Sequence, residues 1–210
     1  MIAVIDYGMG NIRSVQKALE VSGARTKIAS YAEDLAGCEK IVLPGVGAFG
    51  DAMKELRRRG LERAIRAAIA EGRLFLGLCL GLQILFEESE EAPGVKGLSV
   101  LKGSVKKFRF SDNTLKVPHM GWNNITFKDH NSKTRLKKTI LDGIKDGSYV
   151  YFVHSYYVKP ADRTLTLTTT NYGVDFVSGV HKDNVYGLQF HPEKSQSVGL
   201  SILKNFIGLK

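Results

Sequence analysis

Four short apolar runs in the first hundred residues, each set against a glycine-containing turn and a segment of helical periodicity, constrain this chain more than any other feature. Ile2–Ile5 reads as a buried strand, with Asn11 as a cap for the helical spacing of Ile12, Val15, Ala18 and Leu19 and Gly23 at its stop. Further strands are predicted at Thr26–Ala29, Lys40–Leu43 and 73–78. Helix is predicted over 52–71, broken at Gly60, and again over 83–88. Strands that alternate with helices require crossovers, and right-handed crossovers give a largely parallel sheet covered on both faces. Beyond about residue 98 the pattern changes to period-two alternation, as in Thr164-Leu165-Thr166-Leu167-Thr168, and helical spacing returns only at Val198, Ile202, Phe206 and Ile207. The expected architecture is a single α/β domain over 1–210 whose second half adds antiparallel strands to the parallel sheet. Two domains divided near residue 98 are the alternative.

Composition bounds the function. The 210 residues carry 30 Lys and Arg against 21 Asp and Glu, and all of the excess lies in the second half. Residues 102–138 hold ten basic side chains against Asp112 and Asp129. Such a segment suits nucleic acid, a membrane surface or an acidic partner. Nucleic acid is disfavoured, because no aromatic residues interleave Lys133-Thr134-Arg135-Leu136-Lys137-Lys138. No apolar run reaches the length of about 18 residues needed to cross a membrane, and no leader is recognisable at the N-terminus. Cys38 and Cys79, 41 positions apart with no CxxC, fit neither a disulfide framework nor a zinc site, so a reducing, cytoplasmic setting is expected.

Three motifs carry chemistry. Gly77-Leu78-Cys79-Leu80-Gly81-Leu82-Gln83 has the spacing of a nucleophile elbow, in which small residues two before and two after let a strand turn sharply into a helix. A thiol there feels the helix N-terminus, which favours the thiolate. On its own Cys79 equally fits a core cysteine among leucines, and Cys38, without such a context, reads as structural. Of five histidines, only His191 follows a clear strand and precedes a carboxylate, in Phe190-His191-Pro192-Glu193. A thiol nucleophile needs a base and the base an orienting group, so Cys79, His191 and Glu193 form a candidate triad. Leu43-Pro44-Gly45-Val46-Gly47-Ala48-Phe49-Gly50 satisfies GxGxxG, but it is not in the first strand-turn-helix unit and no strand-terminal acid follows at the required distance. A glycine-rich turn also offers free N–H groups to an oxyanion, or is a tight turn and nothing more.

The Pro-Gly-Val-Gly turn, the Gly-x-Cys-x-Gly-x-Gln elbow and the Phe-His-Pro-Glu turn, in this order, resemble the class I (triad) glutamine amidotransferases over the whole chain. Asp6-Tyr7-Gly8-Met9-Gly10-Asn11, Pro118-His119-Met120-Gly121-Trp122-Asn123 and His191-Pro192-Glu193-Lys194-Ser195 are further similar to the glutaminase subunits of imidazole glycerol phosphate synthases. The resemblance implies a three-layer α/β/α, flavodoxin-like fold without a cofactor or metal. It implies that Cys79 attacks the side-chain amide of L-glutamine, that His191 serves as acid and base, and that Glu193 orients the imidazole. It assigns the oxyanion to N–H groups of Leu80 and of Gly45, Val46 and Gly47, and the glutamine site to Gln83, Glu91, Ser155 and Tyr156. For Glu91 a solvated acidic loop is the other reading.

Ammonia would pass to a cyclase subunit, a (β/α)8 barrel, that forms imidazole glycerol phosphate and aminoimidazole carboxamide ribonucleotide in L-histidine biosynthesis. Asn11, Trp122, Tyr151 and Lys194 resemble the docking surface of that heterodimer. A glutaminase serving another synthase, a γ-glutamyl cysteine hydrolase and a dinucleotide-binding or nucleic-acid-binding module are the competing readings.

Overall fold

The four apolar runs are strands in the computed structural model, which describes residues 1–110, 115–128 and 138–210. They are β1 (Ile2–Ile5), β2 (Thr26–Ala29), β3 (Lys40–Leu43) and β4 (Leu74–Leu78), all parallel, with α1 (Ile12–Val21), α2 (Phe49–Arg58) and α3 (Leu61–Ala70) between them. After α4 (Leu80–Gln83) come β5 (Glu88–Ser89), β6 (Gly103–Lys107), β7 (His119–Asn124), β8 (Thr126–Phe127), β9 (Tyr149–His154), β10 (Tyr156–Pro160), β11 (Thr166–Asn171), β12 (Asp175–Lys182) and β13 (Val185–Leu188). The C-terminal helix is α5 (Gln196–Gly208).

The main sheet runs β2-β1-β3-β4-β13-β12-β10-β6-β5. Its first five strands are parallel, and the pairings of β12 with β13, β10 with β12 and β6 with β10 are antiparallel. The late strand β13 sits beside β4, with Leu188 opposite Leu78. Strands from both halves of the sequence therefore share one sheet, as expected for the fold class.

Alternation along the strands sorts the core into two layers. Ala3, Ile5, Ile41, Leu43 and Phe75 pack against Phe49, Met53 and Leu56 of α2 and Leu61 and Ile65 of α3. Ile2, Val4, Val42, Leu76 and Leu78 pack against Val15 and Leu19 of α1 and Ile202, Leu203 and Phe206 of α5. Each such side chain withdrawn from water contributes about 1.5–3 kcal/mol before the entropy of ordering it.

Three local expectations need correction. The helix expected over 83–88 ends at Gln83, because the carbonyls that would continue it are taken from elsewhere: Ile84 O accepts from Leu98 N (2.7 Å), Leu85 O from Val100 N (2.9 Å) and Glu87 O from Gly97 N (3.1 Å). The alternation at 164–168 begins a strand only at Thr166, since Asp162 accepts from both the amide and the hydroxyl of Thr164 and holds a tight turn ahead of it. Asn11 precedes α1, but its side chain makes no capping bond. The break at Gly60 separates α2 from α3, with φ +70° at the glycine.

A separate two-stranded ribbon, β7 with β9, pairs His119 with His154 and Trp122 with Tyr151. Within the basic stretch, Lys106 and Arg109 both pair with Glu90, while Lys133, Arg135 and Lys137 lie outside the described residues. Among the described residues no helix is long and apolar enough to cross a membrane.

Candidate active site

The carboxyl ends of β1, β3, β4 and β13 point to one edge of the sheet, the place where open α/β sheets build their sites. Each delivers one of the motifs: Tyr7 to Asn11 after β1, Gly45 to Gly47 after β3, Cys79 after β4 and His191 after β13.

Cys79 has φ 52° and ψ −107°, a conformation uncommon for a residue with a side chain and characteristic of a strained elbow. Its neighbours explain why glycine is needed on both sides. A Cβ on Gly77 would lie 2.4 Å from Gly81 O, and one on Gly81 would lie 2.0 Å from Leu43 O. The turn is held by Cys79 N donating to Leu188 O (2.7 Å) and by Cys79 O accepting from Leu82 N (3.0 Å) and Gln83 N (3.2 Å). Cys79 Sγ lies 3.8 Å from Val153 O. Cys38 is buried elsewhere, with its sulfur 3.8 Å from Asp34 O.

His191 Nδ1 donates to Glu193 Oε1 (2.8 Å), and both side chains are buried. Asn11 Nδ2 donates to the same carboxylate oxygen. His191 Nε2 is buried and makes no hydrogen bond among the described residues, although Cys79 is close enough to act on the ring. Burial alone would pull the pKa of His191 down. Its interactions with Cys79 and Glu193 outweigh burial and push it up to about 10, which favours the imidazolium. Bonds that are long or open in the free enzyme commonly close when substrate binds.

A cleft of about 290 Å³ is lined by Val46, Gly47, Cys79, Leu80, Gln83, Glu91, Pro118, Val153, His154, Ser155 and Tyr156. All four residues expected at a glutamine site, Gln83, Glu91, Ser155 and Tyr156, thus line the same cleft as Cys79. Glu91 Oε2 accepts from Phe49 N (2.8 Å) at the start of α2, so Glu91 is not a freely solvated loop acid. Leu80 N donates to Gly45 O (3.3 Å), which engages the expected oxyanion donor with a carbonyl of the facing turn.

Trp122, Tyr151 and Lys194 form a surface row next to the His191-Pro192-Glu193 turn. The Trp122 and Tyr151 rings meet edge to face at 6.0 Å, and Lys194 Nζ lies 5.6 Å from the Tyr151 ring centre. Trp122 is 46% exposed, and Met120 and Tyr149 on the same face of the ribbon are exposed as well. Tyr151 is bonded directly to the His191–Ser195 segment, because Tyr151 O accepts from His191 N (2.9 Å) and Tyr151 N donates to Ser195 Oγ (3.0 Å).

Sequence reasoning missed several groups at this site. Gln189 is fully buried, and its Nε2 lies 3.5 Å from Cys79 Sγ. The alternation of apolar and polar residues in Leu188-Gln189-Phe190-His191 is the signal that places Gln189 on the His191 side of the strand end. Tyr7 Oη is buried and has no hydrogen-bond partner among the described residues, and a Cβ on Gly45 would lie 2.9 Å from it. Burial, then the charge of Cys79, push that phenol well above its ordinary pKa.

Residues 3–209 match the family model described as glutamine amidotransferase class-I. The chain belongs to the class-I glutamine amidotransferases. Among curated relatives of this amidotransferase, the imidazole glycerol phosphate synthase subunit HisH of Rhodopirellula baltica is 48% identical over 206 residues, covering 98% of this chain and 96% of that one. The protein of the same name from Aquifex aeolicus is 50% identical over 204 residues (97% and 94%), and that from Bacillus subtilis 48% over 209 (98% and 95%). The amidotransferase fold also recurs in solved structures. A glutamine amidotransferase crystal structure superposes with a TM-score of 0.73 at 21% identity over 95% of each chain. The structure of PurLQS from Thermotoga maritima gives 0.72 at 22%, over 98% of this chain and 94% of that one. The chain is an enzyme of the amidotransferase class, and by sequence it groups with the HisH glutaminase subunits.

Proposed function

We propose that this chain hydrolyses L-glutamine to L-glutamate and ammonia at Cys79 and delivers the ammonia to the cyclase subunit of an imidazole glycerol phosphate synthase. The observation that carries the reading is that Cys79, on its elbow, shares one cleft with Gln83, Glu91, Ser155 and Tyr156. His191, already bonded to Glu193, acts electrostatically on the same sulfur.

The thiolate of Cys79 attacks the side-chain amide carbon of glutamine and its carbonyl oxygen becomes an oxyanion. Collapse breaks the C–N bond as the His191 imidazolium gives its Nε2 proton to the leaving nitrogen, releasing ammonia and leaving a thioester. The neutral imidazole then takes a proton from water, the hydroxide adds to the thioester, and glutamate leaves as the thiolate and imidazolium are restored. Glu193 keeps the ring in the tautomer with Nδ1–H toward the carboxylate, so that Nε2 handles the proton.

Oxyanion stabilisation falls to the N–H of Leu80 and those of the Gly45-Val46-Gly47 turn. Removing such a donor costs about 100- to 1000-fold in rate. Because Leu80 N is now engaged by Gly45 O, the turn has to withdraw that carbonyl before the donor is free. Glu91 bordering the cleft suits the α-ammonium of glutamine. Asn11, Trp122, Tyr151 and Lys194 form the docking face for the (β/α)8 cyclase, and the aromatic ribbon supports this because exposed Trp and Tyr are favoured interface anchors. A reducing, cytoplasmic setting belongs to this reading, in keeping with two buried free cysteines.

The test is glutamine hydrolysis by the full chain, alone and with a purified cyclase subunit and its nucleotide. Low activity alone and strong stimulation in the pair are expected. Full activity of the isolated chain would argue for an unregulated glutaminase, and none under either condition would remove the reading.

A further inference from the structure

A chain of buried and part-buried hydrogen bonds ends on the sulfur of Cys79. It starts at Asn123 on β7, whose Nδ2 lies 3.3 Å from His119 Nε2. His119 Nδ1 lies 3.1 Å from His154 Nε2, and His154 Nδ1 lies 2.8 Å from Tyr156 O. The same Tyr156 O is reached by Gln83 Nε2 (3.0 Å), which also contacts Gln189 Oε1 (3.2 Å), and Gln189 Nε2 lies 3.5 Å from Cys79 Sγ.

Donor and acceptor roles along this chain follow from its fixed points. Tyr156 O is a carbonyl and only accepts, so both His154 Nδ1 and Gln83 Nε2 carry hydrogen toward it. A neutral His154 then has a bare Nε2, and His119 Nδ1–H donates to it. His119 Nε2 is bare in turn and accepts from the amide of Asn123. Burial holds His119 down to about 4 and His154 to about 3, which keeps both rings neutral. At the other end, Gln83 Nε2 gives its second hydrogen to Gln189, so the atom facing it is the Gln189 oxygen. The Gln189 amide nitrogen is thereby turned onto the sulfur, and the reverse orientation would set two N–H groups against each other.

We propose that Gln189 is a further catalytic residue, whose side-chain N–H donates to the Cys79 thiolate and holds it ready for attack, its amide being fixed in that orientation by Gln83 and the Tyr156 carbonyl. The inference rests on Cys79 being the nucleophile. Gln189 is fully buried at the end of β13, so the donor meets no competition from bulk water. It approaches from the β13 side, and Leu80 N–H stands on the following residue of the elbow. The two donors therefore serve different atoms, the sulfur before attack and the carbonyl oxygen after it.

The experiment uses the full chain in a Cys38→Ala background, leaving one thiol, and measures the rate of alkylation by iodoacetamide from pH 5 to 10 together with glutamine hydrolysis in the presence of the cyclase. The other ionisable groups around the sulfur are Tyr7 after β1, Glu91 ahead of β6, His154 on β9, and His191 with Glu193 after β13, and every variant retains them. Gln189→Met keeps the volume and removes the donor. Its alkylation midpoint is expected to rise by about one pH unit. Its kcat is expected to fall about tenfold, with KM changed less than about threefold. Gln189→Leu, which also carries no donor, is expected to raise the midpoint as far, so it serves where the Met variant does not fold. A wild-type alkylation profile and wild-type kcat in either folded variant overturn the proposal. Cys79→Ala is assayed alongside: if it still hydrolyses glutamine, the nucleophile assignment fails, whereas loss there with wild-type behaviour at Gln189 variants removes only the role of Gln189.

Discussion

The side-chain amide of Asn11 donates to Oε1 of Glu193, 182 positions further along the chain, and His191 Nδ1 donates to that same oxygen. Asn11 therefore faces two ways: it belongs to the expected docking surface and it also holds the carboxylate to which His191 is bonded. Loss of one hydrogen bond to a charged group corresponds to about a tenfold loss in rate. Asn11→Ala is expected to lower kcat of the cyclase-bound enzyme by about that factor while leaving KM for glutamine nearly unchanged. Steady-state kinetics at saturating cyclase separate this from weakened docking, because a residue acting only in docking loses its effect at saturation.

The two cysteines make the sharpest contrast. Cys79 stands on a strained elbow lining the cleft, and Cys38 sits in the core with its sulfur near Asp34 O. Cys79→Ala is expected to reduce glutamine hydrolysis by about 10,000-fold or more. Cys38→Ala is expected to keep kcat within about twofold and to lower the melting temperature by a few degrees through the small cavity it leaves. Activity that survives the first substitution, or is lost with the second, reverses the assignment.

Sequence periodicity located the parallel half of the sheet to the residue at β1, β2 and β3, because these are short apolar runs flanked by turns, buried on both faces at β1 and β3 and half-buried at the edge strand β2. The elbow and the His-Pro-Glu turn were legible for a related reason: their glycines and proline are required by backbone geometry local to the motif. What stayed hidden depends on contacts distant in sequence. The helix expected over 83–88 stops because residues 97–101 capture its carbonyls, and nothing near residue 84 announces that. His119 and His154, 35 positions apart, become neighbours only through the register of β7 against β9, and Gln189 meets Cys79 only because β13 inserts beside β4.

Those two histidines set a pH dependence of stability. Burial lowers the folded pKa of His119 to about 4, and the unfolded value is about 6.5. Between those values the unfolded chain binds the proton and the folded chain does not, so this group destabilises the fold as pH falls from about 6.5 toward 4. Between pH 7 and pH 5 the loss from His119 is about 2 kcal/mol. His191 has the opposite sign: its raised pKa contributes stability that is complete below about 6.5 and is lost as pH rises toward 10. Urea unfolding of wild type and His119→Gln at pH 7 and pH 5 is expected to show a fall in stability smaller by about 2 kcal/mol in the variant, which retains a donor for His154. An equal fall in both proteins contradicts this assignment.

Lys40, on the face of β3 that α5 covers, closes the end of the C-terminal helix. Its Nζ donates to Phe206 O (3.1 Å), Ile207 O (2.5 Å) and Leu209 O (2.6 Å) at the end of α5, where Phe206 O also accepts from Leu209 N (3.4 Å). Lys40→Met keeps the apolar stem and removes the charge that satisfies them. A loss of about 2 kcal/mol is expected. This is read as a fall of about 4–8 °C in melting temperature for a chain of this size. Glutaminase parameters at 25 °C are expected to remain at wild-type values, since α5 contributes no side chain to the cleft.

Trp122 tests the docking face. Its ring is 46% exposed, packs edge to face on Tyr151, and shares one side of the β7–β9 ribbon with exposed Met120 and Tyr149. The opposite side of the ribbon carries His119, Phe152 and His154 into the core. A ring so placed adds little to the stability of the free chain and, when a partner covers it, much to affinity. Trp122→Ala is expected to weaken binding to the cyclase by about 30-fold or more while shifting the melting temperature of the free chain by less than about 2 °C. Titration calorimetry reads the first quantity and thermal unfolding the second. Because Tyr151 is bonded through its backbone to His191 and Ser195, saturating the Trp122→Ala variant with cyclase is expected to restore most of the stimulated rate. Unchanged affinity in the folded variant moves the docking face elsewhere, and unchanged affinity with lost stimulation makes Trp122 part of the signal to His191 instead of the grip.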